Sequence, residues 1–285
     1  MRHRPVIAGA ALGLLLVVLL PATSFSQATP SVQVGTPAGA PVAAPPPAPP
    51  KPPAKPTPRW PDGKPILGAP PGEKGIWDSC CGNLSSADNN KTPPPFLPWA
   101  KMVYQDRLAN QLEPHTRCKP SGGARQFVTP YGSELAEFRE LQQIVIFDIG
   151  GPHTFRVIYL DGRPHPKDLT PSYYGHSIGR WEGDTLVVDT TGFNEKFWID
   201  RAGTPHTEKL RFIERFTRTD HDTLKYEVTI DDPGAYSATW SPNAFTMTWD
   251  ADEELFEYQC QQSNFAHELM VGTMQRVDRS TVIVP

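Results

Sequence analysis

The hydrophobic rhythm of the chain changes twice. Residues 6–20 form one apolar run, residues 29–72 scatter a few apolar residues among prolines, and from Gln142 onward apolar and polar positions alternate. Alternation with a period of two is the pattern of a strand, because successive side chains leave the backbone on opposite faces. It predicts strands over 144–147, 155–160, 176–181, 185–191, 210–218, 223–230, 244–249 and 255–259. Gly150-Gly151-Pro152, Asp161-Gly162, Glu182-Gly183 and Thr219-Asp220-His221-Asp222 supply turns between them. Sequential strands with short connections predict a mainly β domain: an antiparallel meander that closes into a barrel or a strongly bent sheet, with a two-sheet sandwich as the alternative. Ahead of the strands, Trp99, Met102, Val103 and Leu112 are spaced for a short N-terminal helix, with Pro98 in its first turn and Pro114 as its stop.

The two earlier rhythms set the domain limits. Arg2, His3 and Arg4 precede the apolar run, Pro21 breaks it, and Ser24-Phe25-Ser26 and Ser26-Gln27-Ala28 offer small residues to a signal peptidase. The run is shorter than the ~20 residues of a spanning helix, so a cleaved signal over 1–28 is expected, with an uncleaved anchor as the alternative. The expected location is the periplasm or the medium. Of 33 prolines in 285 residues, nearly half fall between Pro30 and Pro71, so 29–72 reads as an extended, disordered linker. The remainder, 73–285, is long enough for one cored domain, read as an N-terminal arm with the helix over 73–141 and the meander over 142–285. A net charge of −4 with no basic stripe argues against a nucleic-acid partner, and membrane contact is expected only if the signal is retained.

Four cysteines follow the signal: Cys80, Cys81, Cys118 and Cys260. In an oxidising compartment they read as disulfide candidates, and no Cys-x-x-Cys spacing suggests a metal site. A bridge between neighbours is strained, which leaves Cys80 and Cys81 each to pair with Cys118 or Cys260.

Candidate chemistry gathers around the 176–191 hairpin. With Glu182-Gly183 as a two-residue turn, His176 falls opposite Asp189, and Arg180, Ile178, His176, Val187 and Asp189 share one face. A carboxylate beside an imidazole fixes its tautomer and raises its basicity, as a general base requires; the other reading is a structural hydrogen-bonded pair. Glu214 shares a face with Leu210, Phe212 and Phe216, where a carboxylate is costly unless paired. It reads either as a third catalytic candidate or as one half of a buried ion pair with Arg156 or Arg180. Arg180, Tyr174, Trp181 and His206 complete the set as substrate-binding candidates. His165, His176 and His206 with Asp189 or Glu214 could assemble a metal site, but no tight His spacing supports one, and His165 reads as a loop residue. There is no nucleophile elbow and no phosphate loop, and no pattern names a cofactor.

Three segments resemble a large group of secreted bacterial proteins of unknown function. They are Tyr159 to Pro166, the run Gly175-His176-Ser177-Ile178-Gly179-Arg180-Trp181-Glu182-Gly183-Asp184-Thr185 continuing to Phe193, and Pro205-His206-Thr207-Glu208 leading to Glu214-Arg215-Phe216. That resemblance carries no activity. Gly75-Ile76-Trp77 is similar to the opening of calycin barrels such as lipocalins, which implies a calycin-like fold. Three functions follow as expectations. The first is an exported acid–base enzyme of isomerase, lyase or hydrolase type acting on a small organic molecule. The second is a non-catalytic small-molecule binding protein, and the third a structural envelope domain on a proline-rich tether.

Overall fold

The computed structural model describes residues 53–79, 83–86, 90–129, 131–150 and 152–260. The expected signal segment, residues 29–52 of the linker, Cys80 and Cys81 lie outside them.

Nine strands close into a barrel in chain order. They are β1 Ile76–Ser79, β2 Ser133–Phe138, β3 Gln143–Asp148, β4 Phe155–Tyr159, β5 His176–Glu182, β6 Thr185–Thr191, β7 Arg211–Asp220, β8 Thr223–Asp231 and β9 Phe245–Asp250. The expected barrel is therefore present and the sandwich alternative is set aside. Strand direction must return to itself on one circuit of a closed ring, so the number of antiparallel neighbours is even. A nine-strand ring thus needs a parallel pair, which corrects the purely antiparallel meander. That pair is β4–β5, registered only at Ile158↔Ser177 and Tyr159↔Ile178, whereas β5 and β6 are in register from His176↔Thr191 to Glu182↔Thr185. A parallel neighbour cannot be reached by a tight turn, and residues 160–175 make the crossover.

The alternation read from the sequence sorts residues between the two faces of the wall. On β7, Phe212, Glu214, Phe216 and Arg218 are buried; on β8, Leu224, Tyr226, Val228 and Ile230 are. The barrel interior is filled from one further segment, a 3-10 helix over Gly123–Val128 that is buried along its whole length. Its Phe127 lies 4.8 Å from the ring of Tyr226 and 5.5 Å from that of Phe216. Gly123 lets the plug enter: its φ is +42°, and a Cβ there would meet the Phe212 ring at 2.3 Å.

Three expectations are corrected by the chain's path. Residues 53–72, assigned to the linker by their prolines, pack on the barrel. Leu67 is fully buried, Trp77 Nε1 donates to its carbonyl at 2.7 Å, and Arg218 Nη1 donates to Ile66 O at 2.7 Å and Gly68 O at 2.8 Å. Proline limits backbone hydrogen bonding but not the burial of the side chains between prolines. The segment 255–259 forms no strand. Instead the tail runs back to a bridge between Cys118 and Cys260, whose Cα atoms are 5.5 Å apart, which overturns the pairing of either with the Cys80-Cys81 doublet. The helix α1, Pro98–Asn110, forms as expected, but it buries only Ala100 and leaves Met102 exposed.

Candidate functional site

The hairpin turn falls at Gly183-Asp184, one residue later than expected, so Thr191 and not Asp189 stands opposite His176. Sliding a turn by one residue changes the pairing by two, and side-chain parity survives. His176, Ile178, Asp189 and Arg180 therefore do share a face, the outer one. Glu214 belongs to the inner face. The wall of the barrel divides the three expected catalytic residues.

Outside, the link between His176 and Asp189 is made by the crossover. His165 Nδ1 lies 2.9 Å from His176 Nδ1, and His165 Nε2 lies 3.7 Å from Asp189 Oδ1. Asp189 also accepts two bonds from Arg211, at 2.8 and 2.5 Å. Burial pushes the Asp189 carboxyl up, and Arg211 outweighs it, so the group sits below its ordinary range. The ring of His176 stacks on Tyr159 at 5.2 Å, and the Arg163 guanidinium lies over the Tyr159 ring at 4.0 Å from its centroid. Partial burial, then the neighbouring His165 and Arg163, hold the His176 pKa below 6.5.

The 2.9 Å contact allows either ring to donate, and the nearby carboxylate sets the preference. The Asp189 charge favours a proton on His165 Nε2, which makes His165 Nδ1 an acceptor. His176 Nδ1 is then the donor, and its Nε2 is left with a free lone pair. His176 lines a cleft of about 450 Å³ at the parallel seam, walled also by His153, Arg156, Tyr159, Tyr173 and Tyr174. A short parallel ladder is the place for such an opening, since β4 and β5 are in register at only two pairs.

Inside, Arg156 clamps Glu214 through two bonds of 2.7 and 3.1 Å, and the Tyr226 hydroxyl donates to the same carboxylate at 2.8 Å. Thr190 and Ser177 extend the network. Burial opposes the Arg156 charge, and Glu214 more than offsets it, so its pKa lies above the ordinary value. Burial and Glu214 hold Tyr226 well above the usual phenol range, and it remains a donor. Glu214 thus takes the ion-pair reading, with Arg156 as partner.

The substrate-binding candidates disperse. Tyr174 is buried at the cleft and donates to Asp148 Oδ2 at 2.8 Å. Burial raises Asp148 to about 6. Arg180 pairs with Glu182 at 2.8 Å and, with Trp181, lines a separate cleft of about 490 Å³ beside Asp62 and Arg139. His206 lies in neither. It is buried against Phe197, with Nε2 3.0 Å from Phe197 O, and burial lowers its pKa to about 4. Among the described residues no three His, Cys, Asp or Glu side chains are grouped to hold a metal ion, so the set of three histidines with a carboxylate is not assembled.

Arg211, Tyr226 and Asp148 were missed as site residues, and His165 was read only as a loop residue or metal-site candidate. Asp148 follows Ile144 and Ile146 at the same parity, and counting that alternation on would have placed it inside. His165 had no local signal, because its contact depends on the path of the crossover. No protein-family model, curated protein or solved structure matches the chain.

Proposed function

We propose that the chain is an exported enzyme that moves a proton on a small organic molecule, with His176 Nε2 as the base at the seam cleft. The observation that carries this reading is the 2.9 Å contact between His165 and His176 beside Asp189. Asp189 orients His165, His165 accepts from His176, and the free nitrogen of His176 takes the proton. A base with a pKa somewhat below the working pH is unprotonated and ready. The signal-like N-terminus, the Cys118–Cys260 bridge and the resemblance to secreted bacterial proteins support export.

A general base can be tested without knowing the natural substrate. Nitrobenzisoxazole loses its ring proton to a base as its N–O bond breaks, giving a coloured cyanophenolate. The full chain is expected to accelerate this elimination, with a rate that rises through a pKa below 6.5 and then levels. His176→Ala should lower the rate by about 10²-fold or more, and Asp189→Asn should shift the profile. A rate untouched by His176→Ala overturns the proposal.

A second reading rests on Phe127 and the plug. They fill the interior in which a calycin-like binding protein would hold its ligand, and a filled barrel suits a structural envelope domain on a proline-rich tether.

A further inference from the structure

We infer that the seam cleft takes a neutral, planar aromatic molecule bearing a hydroxyl group, and rejects carboxylates and phosphates. This rests on the reading of the cleft as a small-molecule site. Its basis is charge. Among the described residues lining the cleft, Arg156 is the only one with a formal charge, and Glu214 holds it in a bidentate pair at 2.7 and 3.1 Å. The charges just beyond are matched as well: Arg163 donates to Asp161 at 2.9 Å, and Arg211 donates to Asp189 at 2.8 Å. An anion entering the cleft would lose its hydration and meet no unpaired cation, which is costly. The cleft offers aromatic rings instead. Tyr159 and Tyr173 line it beside His176.

Polar contacts for such a ligand are also at hand. The acceptor nitrogen of His176 suits a hydroxyl proton. His153 Nε2 and Arg156 Nε are buried polar atoms of the lining with no protein partner. Buried polar atoms left without a bond cost free energy, and a ligand oxygen at the Arg156 donor would recover it.

Titration calorimetry of the full chain with naphthol, naphthoate and cyclohexanol tests this. Naphthol should bind at least about tenfold more tightly than either of the others, a difference of about 1.4 kcal/mol. Tyr173→Ala should weaken naphthol, and Tyr159→Leu, which keeps apolar bulk but removes the ring, should do the same while the melting temperature holds. Equal or tighter binding of naphthoate overturns the inference. So does naphthol binding that both variants leave intact, or no naphthol binding at all. The proton-transfer reading is scored separately, by the nitrobenzisoxazole rate, and each can fail while the other stands.

Discussion

His165 Nδ1 and His176 Nδ1 face each other at 2.9 Å, so one ring must donate and the other accept. Asp189, 3.7 Å from the far nitrogen of His165, breaks the tie. In a long-range proton–nitrogen spectrum at pH 7, His176 should carry its proton on Nδ1 and His165 on Nε2. Asp189→Asn removes the bias and should populate the reverse tautomer of both rings. His176 protonated on Nε2 in the native protein would remove the basis for a base at the cleft.

The Arg156–Glu214 pair makes an unequal set of predictions. Both side chains are buried, so removing one charge strands the other. Glu214→Gln should destabilise by about 3–5 kcal/mol, and Tyr226→Phe, which removes one bond to the carboxylate, by about 1.5–3 kcal/mol. Replacing Arg156 and Glu214 together with Met and Leu should cost less than Glu214→Gln alone. Urea midpoints at constant slope would measure all three. A double variant worse than the single would show that the network, and not the unpaired charge, sets the cost.

What could be read from the sequence divides along the range of the interaction. β7 and β8 were legible because Phe212 to Arg218 and Leu224 to Ile230 alternate strictly, and a period of two is a local property. The face shared by His176 and Asp189 was legible for the same reason, and it survived a misplaced turn. β1 and β2 were not. Ile76–Ser79 is too short to show a period, and Ser133–Phe138 places Ser133 and Leu135 inward with Glu134 and Ala136 between them, a weak contrast. The parallel seam, the Phe127 plug and the contact of His165 with His176 all depend on where connections travel, and no residue spacing encodes that path.

The proline-rich segment contains its own boundary. Residues 53–72 hold Leu67 in the core and cap the Arg218 guanidinium, which lies 4.8 Å from the Trp77 ring and 5.3 Å from that of Trp249. A chain starting at Pro53 should melt within a degree or two of one starting at Ala28. A chain starting at Glu73 should lose about 1.5–3 kcal/mol for each of Ile66 and Leu67, and more for the Trp77 and Arg218 donors it leaves unpaired. Differential scanning calorimetry on the three lengths checks this, and equal melting of all three would return the whole segment to the linker.

Two buried groups should tilt stability in opposite directions with pH. His206 has its folded pKa lowered from 6.5 to about 4 by burial, so between those values the unfolded chain binds the extra proton. Its contribution is complete above 6.5 and is lost as pH falls toward 4. Asp148 has its folded pKa raised from 3.8 to about 6, again by burial, against the pull of the Tyr174 and Ser121 hydroxyls and of Arg125. Its contribution is complete below 3.8 and is lost as pH rises toward 6. Each shift is worth roughly 3 kcal/mol at about 1.4 kcal/mol per unit. In the native protein the two nearly cancel between pH 4 and 6. Asp148→Asn should uncover the His206 slope, with stability rising as pH rises from 4 to 6.5. His206→Gln should uncover the Asp148 slope, with stability falling as pH rises from 4 to 6. Urea unfolding at half-unit pH steps would separate them, and two variants with the same sign of slope would show that at least one of these groups is not titrating as a buried site.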